Sequence, residues 1–159
     1  MNHEIWAHVG AYGELKALLP ILDSLHQKYR EMGVRLTVNS PDMLELDLAS
    51  IRSYFTGPSR ILKGIPIWKL YGLFLTFKPA LWISHSFDME TNMLWMCSQF
   101  QIPVFYIFEG FCGFSQPETP PDFTTTVGAV TQEVKRLQFE QLGIEPARIV
   151  RIKNLKWIG

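Results

Sequence analysis

Short apolar runs alternate with stretches of helical period along the whole chain, and that alternation leaves few folds open. Glu4 to Val9 reads as a buried strand. From Tyr12 to Arg30, Leu15, Leu18, Leu19, Leu22, Leu25 and Tyr29 recur at helical spacing, so one face packs on a sheet. Pro20 inside that stretch predicts a kink or a division, and Gly33 a stop. Val34 to Val38 is a second strand, followed by a turn at Asn39-Ser40-Pro41 and a short helix near Met43 to Leu48. Ile51 to Phe55 is a third strand, closed by Gly57-Pro58. Trp68 to Phe77 is helical, Leu81 to Ser84 a strand, Met89 to Phe100 a helix and Val104 to Phe108 a strand. Gln116 to Asp122, with three prolines, is a loop; Thr124 to Val127 is one more strand. Thr131 to Leu142 is a helix ended by Gly143, and Arg148 to Ile152 the last strand. Strands joined by crossover helices predict an α/β fold: a doubly wound parallel sheet between two helical layers.

The chain has 159 residues, enough for one domain with a real core. Apolar residues make up 47% and charged ones 19%, which excludes a disordered tail or polar linker. Lys+Arg and Asp+Glu balance at 15 each, so net charge points to no nucleic acid. Cys97 and Cys112 form no spaced metal motif and fit a reduced, cytoplasmic protein better than a disulfide scaffold. No signal peptide is expected, because Asn2, His3 and Glu4 lead straight into a strand pattern. No apolar run reaches the roughly 20 residues that span a bilayer. The balanced total conceals a segregation: Arg52 to Lys78 holds five basic residues and no acidic one, whereas Pro79 to Val134 holds six acidic residues and no Lys or Arg. Chance partition of solvated charge and two surfaces of opposite sign beside a cleft both fit this pattern.

Chemistry concentrates at strand ends. Ile5 to Val9 runs into Gly10-Ala11-Tyr12-Gly13-Glu14, a strand-to-helix turn of the kind that lines the ligand crevice of an open α/β sheet. Glu14 there either caps the helix, favoured by the macrodipole, or serves as a general base. His85-Ser86-Phe87-Asp88 closes another strand, so its polar groups either line the same cleft or cap the helix that follows. His8 fits a hydrogen-bonded core position, and pairing it with His85 and Asp88 around a metal has no spacing support. Trp68, Tyr71, Leu73, Phe74 and Phe77 fit a helix packed on a sheet; with Lys63, Lys69 and Lys78 they also fit a peripheral contact with lipid headgroups. Gly10-Ala11-Tyr12-Gly13 lacks the third glycine of a dinucleotide fingerprint.

The run from Trp6 to Pro20 resembles the start of the N-terminal domain of bacterial Kdo (3-deoxy-D-manno-octulosonic acid) transferases of lipid A assembly, with Trp6, His8, Gly13, Glu14 and Pro20 in register. Thr37 to Pro41, Lys78-Pro79 to Ser84, Asn92 and Ile102-Pro103-Val104 keep the family spacing, and Asn154-Leu155-Lys156 resembles the segment closing that domain. The resemblance implies a Rossmann-like sheet forming one half of a GT-B glycosyltransferase, spanning residues 1–159, the acceptor-binding half. By the same resemblance Glu14 is the catalytic base. Tyr12, Gly13, Ser86, Asp88, Asn92 and Glu109 are the candidate substrate-binding residues. The nucleotide-sugar donor, CMP-Kdo-like, is expected on a C-terminal domain or a separate subunit. This chain by itself is then expected to bind no cofactor and to be inactive.

Departures from that family point elsewhere. Ser86 to Asn92 replaces a Glu-Thr-Glu-Leu-Trp-Pro-Asn run and keeps only its Asn, while Phe108-Glu109-Gly110 stands where the family has Asn-Ala-Arg. Exchanging that Arg for Glu109 reverses a local charge, so the glycolipid or sugar acceptor is expected to differ from lipid A. Ile102-Pro103-Val104 with Glu109-Gly110 is also similar to UDP-N-acetylglucosamine 2-epimerases, although their acidic, threonine-rich turn has no match. A stand-alone sugar- or partner-binding module is the remaining reading, with an uncovered apolar cleft face driving homodimer formation. The expected location is the cytoplasm, with a peripheral contact at the inner membrane as the alternative.

Overall fold

The computed structural model describes residues 4–85, 90–108 and 121–153. Among these residues seven strands form one sheet: β1 (Glu4–Val9), β2 (Gly33–Val38), β3 (Arg60–Ile61), β4 (Pro79–His85), β5 (Val104–Phe108), β6 (Thr126–Val130) and β7 (Ile149–Arg151). All pairings are parallel and the order is β3-β2-β1-β4-β5-β6-β7. The chain therefore winds one way from β1 through β3, crosses back, and winds the other way from β4. That reversal puts a topological switch point between β1 and β4. The expected doubly wound α/β architecture is what the chain adopts.

Among the described residues five α-helices flank the sheet: α1 (Tyr12–Lys28), α2 (Leu48–Ile51), α3 (Ile67–Thr76), α4 (Thr91–Gln99) and α5 (Glu133–Leu142). Alternation along β1 sends Ile5, Ala7 and Val9 towards α1, where Leu15, Leu18 and Leu22 join a fully buried cluster with Val34, Leu36 and Val38. Trp6 points the other way into a second core under α3, α4 and α5, with Phe74, Trp82, Met93, Tyr106 and Phe139. The Trp6 ring meets Phe74 edge-on at 5.3 Å and so pins α3 to the sheet.

Four sequence expectations change. Of the two outcomes expected at Pro20, division does not occur: α1 runs as one helix to Lys28. The carbonyl that Pro20 leaves without a helical donor belongs to Lys16, which is exposed and can be hydrated. Gly33 is not the helix stop: α1 ends at Lys28 with Tyr29 as its C-cap, and Gly33 opens β2. Ile51 to Phe55 is not a strand, because Leu48–Ile51 is a helical turn capped by Asp47 and only Phe55 bridges to Val34; the third strand lies at Arg60–Ile61. The Trp68-to-Phe77 stripe is only partly core: Leu70 and Phe74 are buried, whereas Trp68 and Tyr71 are exposed. Gly143 does end α5, in the left-handed conformation at φ 102° that favours glycine.

Candidate functional site

The carboxyl edge at the switch point collects the ends of β1 and β4 and the first turns of α1 and α4. Glu14 is the third residue of α1, and its side chain folds back over the turn. Oε2 accepts a hydrogen bond from the Gly10 N–H at 2.6 Å and another from the Ala11 N–H at 3.0 Å. Two donors at a helix start are thereby satisfied, which is half of a capping box; Ala11 has no side-chain oxygen to supply the other half. The carboxylate is buried. Both sequence readings of Glu14 thus have a structural basis: it caps α1, and it does so at the edge where a ligand would lie.

His85 ends β4 beside Val9 and is buried, with Nδ1 3.2 Å from the Glu14 carbonyl oxygen. This contact joins two segments 71 positions apart and ties the first turn of α1 to the switch point. On the opposite face of β1, His8 is fully buried, as expected, with Nδ1 3.0 Å from Thr37 Oγ1. Its Nε2 lies 3.9 Å from Glu90 Oε1. Glu90 is the N-cap residue of α4 and was not among the sequence candidates. The available signal was an acidic residue in the first turn of the helix expected from Met89 to Phe100, which the macrodipole favours. The switch point therefore has a histidine on each face of the sheet: His85 against the Glu14 backbone carbonyl, and His8 within 3.9 Å of the Glu90 carboxylate.

Gly13 occupies the second position of α1, and a Cβ there would meet no atom within 4 Å. The space beside Gly13 is open, and nothing inside the described structure requires glycine there. Tyr12 is 45% exposed at the helix start, with the Lys16 ammonium 4.9 Å from its ring centroid. Asn92 is exposed in the first turn of α4. Ser86, Asp88 and Glu109 fall outside the described residues, as does the Asn154-Leu155-Lys156 segment.

Among the described residues no group of three His, Cys, Asp or Glu side chains could hold a metal ion, so His8 and His85 do not meet in one ligand set. Cys97 is no candidate nucleophile: burial in α4 pushes its thiol well above the ordinary range. No helix among the described residues is long and apolar enough to cross a membrane.

No family model and no curated protein sequence matches the chain. Solved structures do. A UDP-GlcNAc 2-epimerase from Neisseria meningitidis bound to UDP-GlcNAc superposes with a TM-score of 0.64 at 15% identity, over 96% of this chain and 47% of that one. The UDP-N-acetylglucosamine 2-epimerase from Rickettsia bellii gives 0.63 at 15% identity, over 98% and 46%. MnaA from S. aureus with UDP gives 0.62 at 13%, over 96% and 45%. The fold is one half of the GT-B architecture. This chain spans slightly less than half the length of the structures it matches. These neighbours are epimerases, and the comparisons lend the Kdo transferase resemblance no support beyond the shared GT-B fold.

Proposed function

We propose that this chain is one half of a GT-B-type enzyme acting on a nucleotide-activated sugar, of the UDP-GlcNAc 2-epimerase kind rather than a Kdo transferase. The observation that carries the proposal is the match of nearly the whole chain to one half of such epimerases. The switch-point geometry is consistent with it, since two carboxylates, Glu14 and Glu90, stand at the sheet edge and suit proton removal and return at a sugar carbon. In this reading a second, nucleotide-binding half completes the cleft, and Glu14 is the base, held in place by the Gly10 and Ala11 amides. Glu90 is the partner candidate from the other face.

The test supplies UDP-GlcNAc to the chain joined to a nucleotide-binding half and follows the sugar by NMR. Appearance of the C2 epimer is the expected result. Transfer of Kdo from CMP-Kdo to a lipid acceptor would instead restore the transferase reading, and ligand binding with neither reaction would leave a binding module. Glu14→Gln separates base from cap, because the amide oxygen still accepts from Gly10 and Ala11 but takes no proton. Turnover is expected to fall by ~10²-fold or more with the fold intact; unchanged turnover assigns Glu14 to capping alone.

A further inference from the structure

Helix α3 keeps an apolar face in solvent, where a helix packed on a sheet ordinarily presents a polar one. Leu70 and Phe74 bury themselves against the second core, but Ile67, Trp68, Tyr71 and Leu75 are 42, 69, 50 and 63% exposed. At about 100° per residue these four fall within roughly 100° of arc. They form one continuous apolar stripe beside the buried one, not a scatter of single exposed residues.

The segment that carries the stripe has charge of one sign, and Glu4, which lines the cavity beside Leu75 and Lys78, is paired with Arg35. No acidic residue occurs between Asp47 and Asp88, whereas Arg52, Arg60, Lys63, Lys69 and Lys78 do. Arg52 is engaged by Asp23 of α1. Lys63 precedes α3, Lys78 follows it and Lys69 lies within it, all three exposed, with the Lys69 ammonium 5.3 Å from the Trp68 ring centroid.

We propose that this face of α3 docks the protein on a bilayer surface rich in anionic phospholipid. Trp68 and Tyr71 are amphipathic rings suited to the headgroup level, Ile67 and Leu75 add apolar area below it, and the lysines lie over the phosphates. A second copy of the chain fits less well, because the segment that carries the stripe has basic residues and no acidic one to meet them across a two-fold interface. The surface uses no residue of the switch-point site, so the proposal stands apart from the reading of Glu14.

Co-sedimentation of the full chain with vesicles of phosphatidylcholine, with and without phosphatidylglycerol, tests it. Binding is expected only with phosphatidylglycerol and should weaken as salt is raised. Trp68→Ser with Leu75→Ser should weaken binding at least about 10-fold, with circular dichroism and Tm unchanged. Lys69→Gln and Lys78→Gln should each weaken it about 5-fold. Absence of binding to phosphatidylglycerol vesicles overturns the proposal, as does binding that the Trp68→Ser/Leu75→Ser variant retains in full. A dimer by light scattering that this double variant dissociates, with no vesicle binding, would give the face to a second copy.

Discussion

Helices α1 and α3 serve the same topological purpose, yet they spend their apolar residues differently. Both are crossover helices packed on the sheet. In α1, Leu15, Leu18 and Leu22 are fully buried and the opposite side carries Lys16, Ser24, Gln27 and Lys28. In α3, Leu70 and Phe74 suffice to anchor the helix, and Ile67, Trp68, Tyr71 and Leu75 remain in water. Apolar content therefore does not measure burial: the shorter, more apolar helix is the less covered one. A core needs one stripe per helix, and any further apolar stripe is available for a surface.

The largest test of this contrast is a pair of truncations. Leu18→Ala removes a side chain with no exposure and should cost about 2–5 kcal/mol in chemical denaturation. Leu75→Ala, at 63% exposure, should cost no more than about 0.5 kcal/mol. Equal losses would mean that the α3 face is covered in solution.

The start of α1 offers the next effect. Glu14→Ala leaves the Gly10 and Ala11 amides without their acceptor and should lower stability by about 1–2 kcal/mol, most of which Glu14→Gln should restore. Recovery of stability without recovery of turnover would separate the cap from the chemistry.

On α3, a Cβ at Gly72 would meet no atom within 4 Å, so Gly72→Ala should stabilise by roughly 0.5–1 kcal/mol through helix propensity. A loss of stability would show that the helix surface is more tightly packed there than in the free chain.

The smallest effect lies on the outer side of α1, where Arg52 donates to both oxygens of Asp23 and the Tyr54 hydroxyl donates to one. The Arg52 hydrogen bond, aided by Tyr54 and opposed by partial burial, holds the Asp23 carboxyl below its usual range. The unfolded chain then binds that proton more readily than the folded one. The stabilisation is present above about pH 4 and is lost as pH falls through the folded value. For a partly exposed pair it should amount to about 0.2–1 kcal/mol, read as the difference in acid unfolding between wild type and Asp23→Asn. An identical acid profile in the variant would remove Asp23 from the account. At the other end of the scale burial and Asp23 raise the Tyr54 phenol, so its contribution is intact below about pH 10 and is lost as pH climbs towards the folded value.

Local pattern carried the fold a long way. Glu4–Val9 and Val104–Phe108 have in the structure the bounds that alternation and apolar runs suggest, and Gly143 marks the end of α5 as its conformation requires. Ile51 to Phe55 misled because a β-branched and aromatic run reads as a strand, while Asp47 capping the preceding turn makes its first residue helical. In the site, Glu14 was legible from a carboxylate in the first turn after a strand. Glu90 was not, since its relevance depends on His8 lying across the sheet, 3.9 Å from its carboxylate.

By itself the sequence determined that the chain is a ladder of parallel strands and crossover helices, because hydrophobic period and turn chemistry act over a few residues. Only the tertiary structure decided that β1 and β4 are neighbours, that the Glu14 carbonyl meets His85 across 71 positions, and that α3 turns a second apolar stripe outward. Those outcomes depend on which elements share the core, and a periodic pattern shows that a helix has an apolar face without showing what covers it.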